Sequence, residues 1–256
     1  MGRVQIFGVD AFASGPFRGN PAAVCLLDAP RDDAWLQQVA AEMNLSETAF
    51  LLRTAAGWRL RWFRPVCVVE LCGHAPHASA HTLFEQEAAD GSVEFHTLSG
   101  TLTCVQVGDR IEMDFPATPA HEACDPPDVG FDVLEAARND YDMLLVLPGE
   151  RAVRDCKPDF ARLAQIDARG LIVTARGSDY DFVSRFFGPR VGVDEDPVTG
   201  SAHCTLAPYW AAQLGKTSMR AYQASGRGGE VSVKLQENRV VLGGTAHTVW
   251  RGELAI

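Results

Sequence analysis

Val4, Ile6 and Gly8 alternate with polar positions at the start of the chain, a period of two that predicts a strand. Gly15, Pro16, Gly19, Asn20 and Pro21 mark a tight loop, and Ala22 to Leu27 reads as a second strand. The spacing then changes. Trp35, Leu36, Val39, Ala40 and Met43 fall on one helical face, with Asp32 or Asp33 placed to cap the first turn. Thr48 to Leu52 and Trp58 to Phe63 pair as strands across Ala56-Gly57. After Pro65 a valine-bearing stretch leads to Gly73 and a helix from about His74 to Glu87. Val93 to Leu98, Thr101 to Val107 and Arg110 to Phe115, joined by Ser99-Gly100 and Gly108-Asp109, make an antiparallel meander.

Pro116, Pro119, Pro126 and Pro127 form the most linker-like stretch, which sets the expected boundary between a lobe of residues 1–117 and a lobe of residues 118–256. The second half repeats the style of the first. Val129 to Ala137 reads as a helix, Met143 to Leu147 as a strand and Phe160 to Ile166 as a helical turn or two. Leu171 to Ala175 and Asp181 to Phe187 read as strands, a helix follows Gly200, and four segments between Ser218 and Arg251 close a sheet.

An internal echo supports two lobes of similar topology. Trp62-Phe63-Arg64-Pro65 and Phe186-Phe187-Gly188-Pro189 are each an aromatic pair, one residue and a proline, offset by 124. Each precedes an acid and a turn that ends in glycine, Gly73 in one and Gly200 in the other, offset by 127. Each glycine opens a small-residue helical segment. Backbone can approach a ligand closely at such a start, and the first-turn N–H groups favour an anion. Two such starts facing one another would make a cleft for a small carboxylate.

Charge and cysteines narrow the class. The chain has 33 Asp plus Glu against 23 Lys plus Arg, a net charge of −10, and no basic face of the kind a nucleic-acid binder carries. Seven cysteines, an odd number with no Cys-x2-Cys pair, argue against a disulfide scaffold or a thiolate zinc site and fit a reducing, cytoplasmic setting. No apolar run approaches the ~20 residues of a membrane span, and the first residues read as a strand rather than a signal peptide.

Several residues carry candidate chemistry. Glu47 precedes Ala49-Phe50-Leu51; partial desolvation would raise its pKa toward an acid/base range. By itself that stretch reads more readily as an ordinary surface carboxylate at a strand start. His74, at a presumed helix start, can donate a hydrogen bond or relay a proton. His74, His77 and His81 share a helical face, but their spacing lacks the acid of a His-Glu-x-x-His site, so no metal is expected. Asp196 can orient a substrate amine or hydroxyl, and Thr199 and Ser201 can add hydroxyl donors; the simpler use of this turn is to cap a helix. Cys72 stands at a helix start, where a thiolate would be activated, but the matching position is Thr199 and the nearest thiol, Cys204, falls inside the next helix.

The combination is specific. Gly19-Asn20-Pro21-Ala22-Ala23-Val24, Ser46-Glu47-Thr48-Ala49-Phe50, Leu71-Cys72-Gly73-His74-Ala75, Ser184-Arg185-Phe186-Phe187-x-Pro189 and Glu195-Asp196-Pro197-Val198-Thr199-Gly200-Ser201-Ala202-His203 closely resemble, in order, the phenazine-biosynthesis isomerase (PhzF-like) family. The resemblance implies an α+β, diaminopimelate-epimerase-like fold. Each lobe would be a mixed, barrel-like sheet around a central helix, with the terminal segment completing the first lobe's sheet. It implies homodimers and no metal or organic cofactor. The reaction implied is a proton transfer on a small amino or hydroxy carboxylate, like the isomerisation of trans-2,3-dihydro-3-hydroxyanthranilate. Glu47, His74 and Asp196 match the family's catalytic groups. Asn20, Gly73, Ala75, Thr199, Gly200 and Ser201 match positions around the substrate. The stretch Ala75-Pro76-His77 departs from the family pattern; the proline suits a first turn, and His77 either faces solvent or marks a different substrate. An amino-acid epimerase or racemase, and a non-catalytic binding protein of the same fold, are the alternatives.

Overall fold

The computed structural model describes residues 3–65 and 73–255. The valine-bearing stretch, Glu70 and Cys72 lie outside the described residues. Contacts divide the chain into two compact units, Met1–Asp114 with Gly243–Ile256, and Phe115–Leu242. The first unit therefore holds both ends of the chain.

In the first unit, β1 (Val4–Ala11) lies antiparallel to β2 (Asn20–Leu27). Helix α1 (Asp33–Met43) crosses to β3 (Glu47–Thr54), parallel to β2, and β4 (Gly57–Phe63) returns antiparallel. Asp32 caps α1 by accepting from Trp35 N at 2.8 Å. Helix α2 (His74–Glu85) leads to β5 (Ser92–Thr97), which runs parallel to β4. The meander continues antiparallel through β6 (Gly100–Val107) and β7 (Arg110–Pro116).

The second unit has β8 (Glu122–Ala123) and β9 (Glu135–Arg138) antiparallel, and β9 antiparallel to β10 (Asp142–Val146). Short helices α3 (Glu150–Asp155) and α4 (Phe160–Leu163) cross to β11 (Gly170–Arg176), parallel to β10. β12 (Phe182–Gly188) returns antiparallel, followed by β13 (Val193–Asp196) and helix α5 (Gly200–Leu214). β14 (Ser218–Gln223) is parallel to β12 and antiparallel to β15 (Gly229–Gln236), and β16 (Arg239–Gly244) follows a two-residue turn. The last strand, β17 (Ala246–Leu254), pairs antiparallel with β1.

The two units repeat one connectivity: an antiparallel pair, a parallel crossover, an antiparallel return, a buried helix, and a strand parallel to that return. The aromatic echo sits at the same place in each, at the end of β4 and of β12. Gly73 is the N-cap of α2, and Gly200 is the first residue of α5.

Each crossover parallel pair is covered on both faces, which explains why its strands read as near-continuous apolar runs. In the first unit Val4, Ile6, Ala23, Cys25, Phe50 and Phe63 pack under α1. Helix α2 packs against β1, β2 and β3 as well. Nine of its twelve residues are buried, so it is a core helix with no solvent stripe, and its alanines let strands approach. In the second unit Leu145, Val173, Val183 and Phe187 pack with Val153 of α3 and Leu163 of α4. Trp210 of α5 stacks on Phe182 at 5.7 Å and donates to Thr174 Oγ1 at 2.9 Å.

The structure departs from the sequence pattern at two places. Residues 129–137 form no helix: the chain is irregular to Leu134 and then enters β9. Ala136 and Ala137 are good helix formers, but pairing with both β8 and β10 overrides that weak preference. Helix α3 is absent from the hydrophobic pattern because it buries only Val153; an Arg154–Glu150 ion pair one turn apart supports it.

Candidate active site

The first unit brings together Asn20, Glu47, Arg64 and His74. Glu47 is the first residue of β3, register-paired with Ala22, two residues after Asn20 opens β2. Gly19 sets that opening: its φ is +68°, and an added Cβ would lie 2.2 Å from the Ala11 carbonyl oxygen. Glu47 is 1% exposed. Its Oε1 accepts from Arg64 Nε at 3.0 Å, and its Oε2 meets His74 Nε2. Asn20 Nδ2 lies 3.2 Å from His74 Nδ1. An amide nitrogen can only donate, so Nδ1 accepts and the imidazole proton sits on Nε2, the atom that meets Glu47.

Glu47 differs from the sequence expectation in direction. Burial is the largest influence and pushes its pKa up, but His74 and then the Arg64 guanidinium outweigh it, so Glu47 titrates below the ordinary 4.5. It rests as a carboxylate and is poised as a base. Arg64 was visible in the sequence only as the polar member of the aromatic echo. Gln37 holds the chain beyond it, donating to the Arg64 and Pro65 carbonyls at 2.7 and 3.0 Å.

The three histidines of α2 separate into different duties. His77 faces neither solvent nor Glu47. It is wholly buried, stacks on Phe12 at 4.2 Å, and donates through Nε2 to the Gly244 carbonyl at 3.1 Å. His81 donates to Thr248 Oγ1 at 3.1 Å, and that hydroxyl donates to Glu85 Oε2 at 2.7 Å. His77 and His81, four residues apart, thus fasten α2 to the last strands of its own unit. Gly73 and Ala75 flank His74; Gly73 has an ordinary φ of −97°.

The second unit brings together Asp196, Thr199, Gly200 and Ser201. Thr199 is the N-cap of α5, but its side chain does not cap the first turn. It donates instead to Asp196 Oδ2 at 2.5 Å, so its single hydroxyl proton is committed within the protein rather than offered to a ligand. Ser201 differs. Its Oγ accepts from Arg169 Nη2 at 3.0 Å, which leaves its own proton to donate elsewhere. Arg169 is fixed by buried Asp142, with Nε on Oδ1 at 2.9 Å and Nη2 on Oδ2. Arg185 grips Glu195, beside Asp196, at 2.7 and 3.0 Å. No side chain of Gly73 or Thr199 caps α2 or α5, so the two helix starts that the sequence singled out carry no cap from those residues.

This is a two-unit α+β fold of the diaminopimelate-epimerase type, with a buried carboxylate–imidazole pair in one unit and a hydroxyl-held aspartate in the other. Residues 9–252 match the family model of the phenazine biosynthesis-like proteins (PhzC-PhzF), and the chain belongs to that family. It is 50% identical to an uncharacterized isomerase of Halalkalibacterium halodurans, across 100% of both chains. It is 40% identical to a phenazine biosynthesis-like domain-containing protein of Homo sapiens, covering 98% of this chain and 99% of that one. Among solved structures, a PhzF family phenazine biosynthesis protein of Enterococcus faecalis superposes with a TM-score of 0.96 at 40% identity, across 100% of both chains. A hydroxyproline epimerase of Agrobacterium vitis shares the fold alone, with a TM-score of 0.67 at 10% identity, across 99% of this chain and 93% of that one.

Proposed function

We propose that the protein is a cofactor-independent isomerase that moves a proton on a small amino or hydroxy carboxylate. The reaction would resemble that of trans-2,3-dihydro-3-hydroxyanthranilate isomerase. The observation that carries this reading is Glu47: a buried carboxylate held ionised by His74 and Arg64, one on each oxygen. A base of this kind takes a proton from carbon and, once protonated, returns it to a nearby carbon. His74 orients Glu47 through its Nε2 proton. Asp196 serves the substrate's amine or hydroxyl, and Ser201 donates to its carboxylate. The first turns of α2, at Gly73 and Ala75, and of α5, at Gly200, each carry backbone donors of the kind an anion favours. Asn20 keeps His74 in the required tautomer.

The isomerase names of relatives support this reading. A thiol-pair epimerase gains nothing from Cys204, which is buried at the fifth position of α5. We place the enzyme in the cytoplasm as a homodimer. The five described cysteines are thiols, as a reducing compartment requires, and no helix among the described residues is long and apolar enough to cross a membrane.

The test is proton NMR in D2O with trans-2,3-dihydro-3-hydroxyanthranilate. The expected outcome is substrate loss with ring deuteration, slowed about 10²–10⁴-fold in Glu47→Gln. Undiminished turnover in that variant would overturn the assignment of Glu47.

A further inference from the structure

Gln223 is the last residue of β14. Met219, Ala221 and Gln223 share the inward face of that strand; the first two are apolar and the third is not. A wholly buried amide is costly unless its polar atoms are bonded. The side-chain amide of Gln223 bonds to a single turn, Asp196-Pro197-Val198-Thr199. Gln223 Oε1 accepts from Thr199 N at 2.9 Å. Its Nε2 donates to the Asp196 carbonyl at 2.8 Å and to Thr199 Oγ1 at 3.1 Å. One side chain from a neighbouring strand therefore ties both ends of the turn.

The third bond has a directional consequence. An amide nitrogen cannot accept, so Thr199 Oγ1 must accept from it. The one hydroxyl proton is then sent the other way, to Asp196 Oδ2 at 2.5 Å. The order Gln223 to Thr199 to Asp196 is fixed by the chemistry of its first member. A carboxylate that receives such a bond is favoured in its ionised form and in one rotamer.

We propose that Gln223 is a positioning residue that acts through the Thr199 hydroxyl to hold the Asp196 carboxylate oriented and ionised for the reaction. The inference rests on the reading of Asp196 as a group that meets substrate. It gives Thr199 a relay role in place of direct substrate binding.

The test compares Gln223→Met, Thr199→Val and the double variant. Each single variant is expected to lower kcat about tenfold to a hundredfold with KM changed much less, because substrate contacts remain. The double variant is expected to be no slower than the slower single one, since both break the same Gln223–Thr199–Asp196 chain. The limb of the pH profile that reports Asp196 moves to higher pH by about half a unit to one unit in each. A second arm needs no substrate. The carboxyl carbon signal of Asp196, assigned by its loss in Asp196→Asn, is titrated in aspartate-labelled protein, and its midpoint rises in each variant. Multiplicative losses in the double variant, or an unmoved Asp196 midpoint, would overturn the proposal. If Gln223→Met does not fold, Thr199→Val decides by the same carbon midpoint. If Glu47→Gln remains fully active, the proton-transfer reading falls while the carbon titration still decides on Gln223.

Discussion

Glu47 waits as an anion because a guanidinium and an imidazole reach it from its two oxygens. Removing one of them therefore changes when it protonates. In Arg64→Met the acidic limb of kcat/KM should move to higher pH, toward the ordinary carboxylate value. A profile that superimposes on wild type would assign the ionisation to His74 alone. At this scale the sequence was legible in proportion to how local the chemistry is. Glu47 and His74 could be named because their neighbours in sequence form recognisable motifs. The direction of the Glu47 shift could not, because it depends on Arg64 and His74, 17 and 27 positions away. Gln223 left one faint signal, a polar residue on the apolar face of an alternating strand. Arg169 left none, since its partners Asp142 and Ser201 are 27 and 32 residues distant.

Both central helices contain prolines, and each is accommodated differently. Pro76 is the third residue of α2, where no N–H is required for the helical ladder. Pro208 lies inside α5 and deprives the Cys204 carbonyl of its usual partner one turn on. Thr118 N donates to that carbonyl at 3.1 Å, so the lost helix bond becomes a tether for the segment after β7. Helix α2 is tethered by side chains instead, through His77 and His81. His77→Phe keeps a ring against Phe12 but leaves the buried Gly244 carbonyl without its donor, and should cost about 1–3 kcal/mol in urea unfolding. An unchanged midpoint would show that the stack, not the hydrogen bond, holds the helix. Element positions were readable wherever period and turn residues agreed, as at α1 and the β5–β7 meander. They failed at 129–137, where strand pairing outweighs local preference, and at α3, which is too short to show a period.

Acid should loosen the molecule in a predictable order. Burial pushes the pKa of His77 down to about 3 and that of His203 to about 4, whereas both titrate near 6.5 when unfolded. Below pH 6.5 the unfolded chain binds protons on these two rings that the native protein refuses. Stability then falls as pH falls, by up to about 3 kcal/mol per unit for the pair, until His203 begins to titrate. Glu47 adds to this below its unfolded value of 4.5: its lowered native pKa is a contribution present above that pH and lost on the way down. Urea midpoints measured from pH 7 to pH 4 should slope accordingly, with a shallower slope in His77→Phe; parallel slopes would remove His77 from the account. The repeated connectivity of the two units was legible in the aromatic echo, because the same strand-end position demands the same residue types twice.

The pairing of β1 with β17 also sets a timetable. Residues 115–242 form a continuous stretch and can be complete as soon as they are made. The first unit cannot, because β1 ends at Ala11 and its partner strand begins at Ala246. At about 5–20 residues per second of synthesis, β1 emerges roughly 10–50 s before that partner exists. The part of the protein that carries Glu47 is thus begun first and finished last, and throughout that interval one edge of β1 is open to whatever strand the cell presents to it.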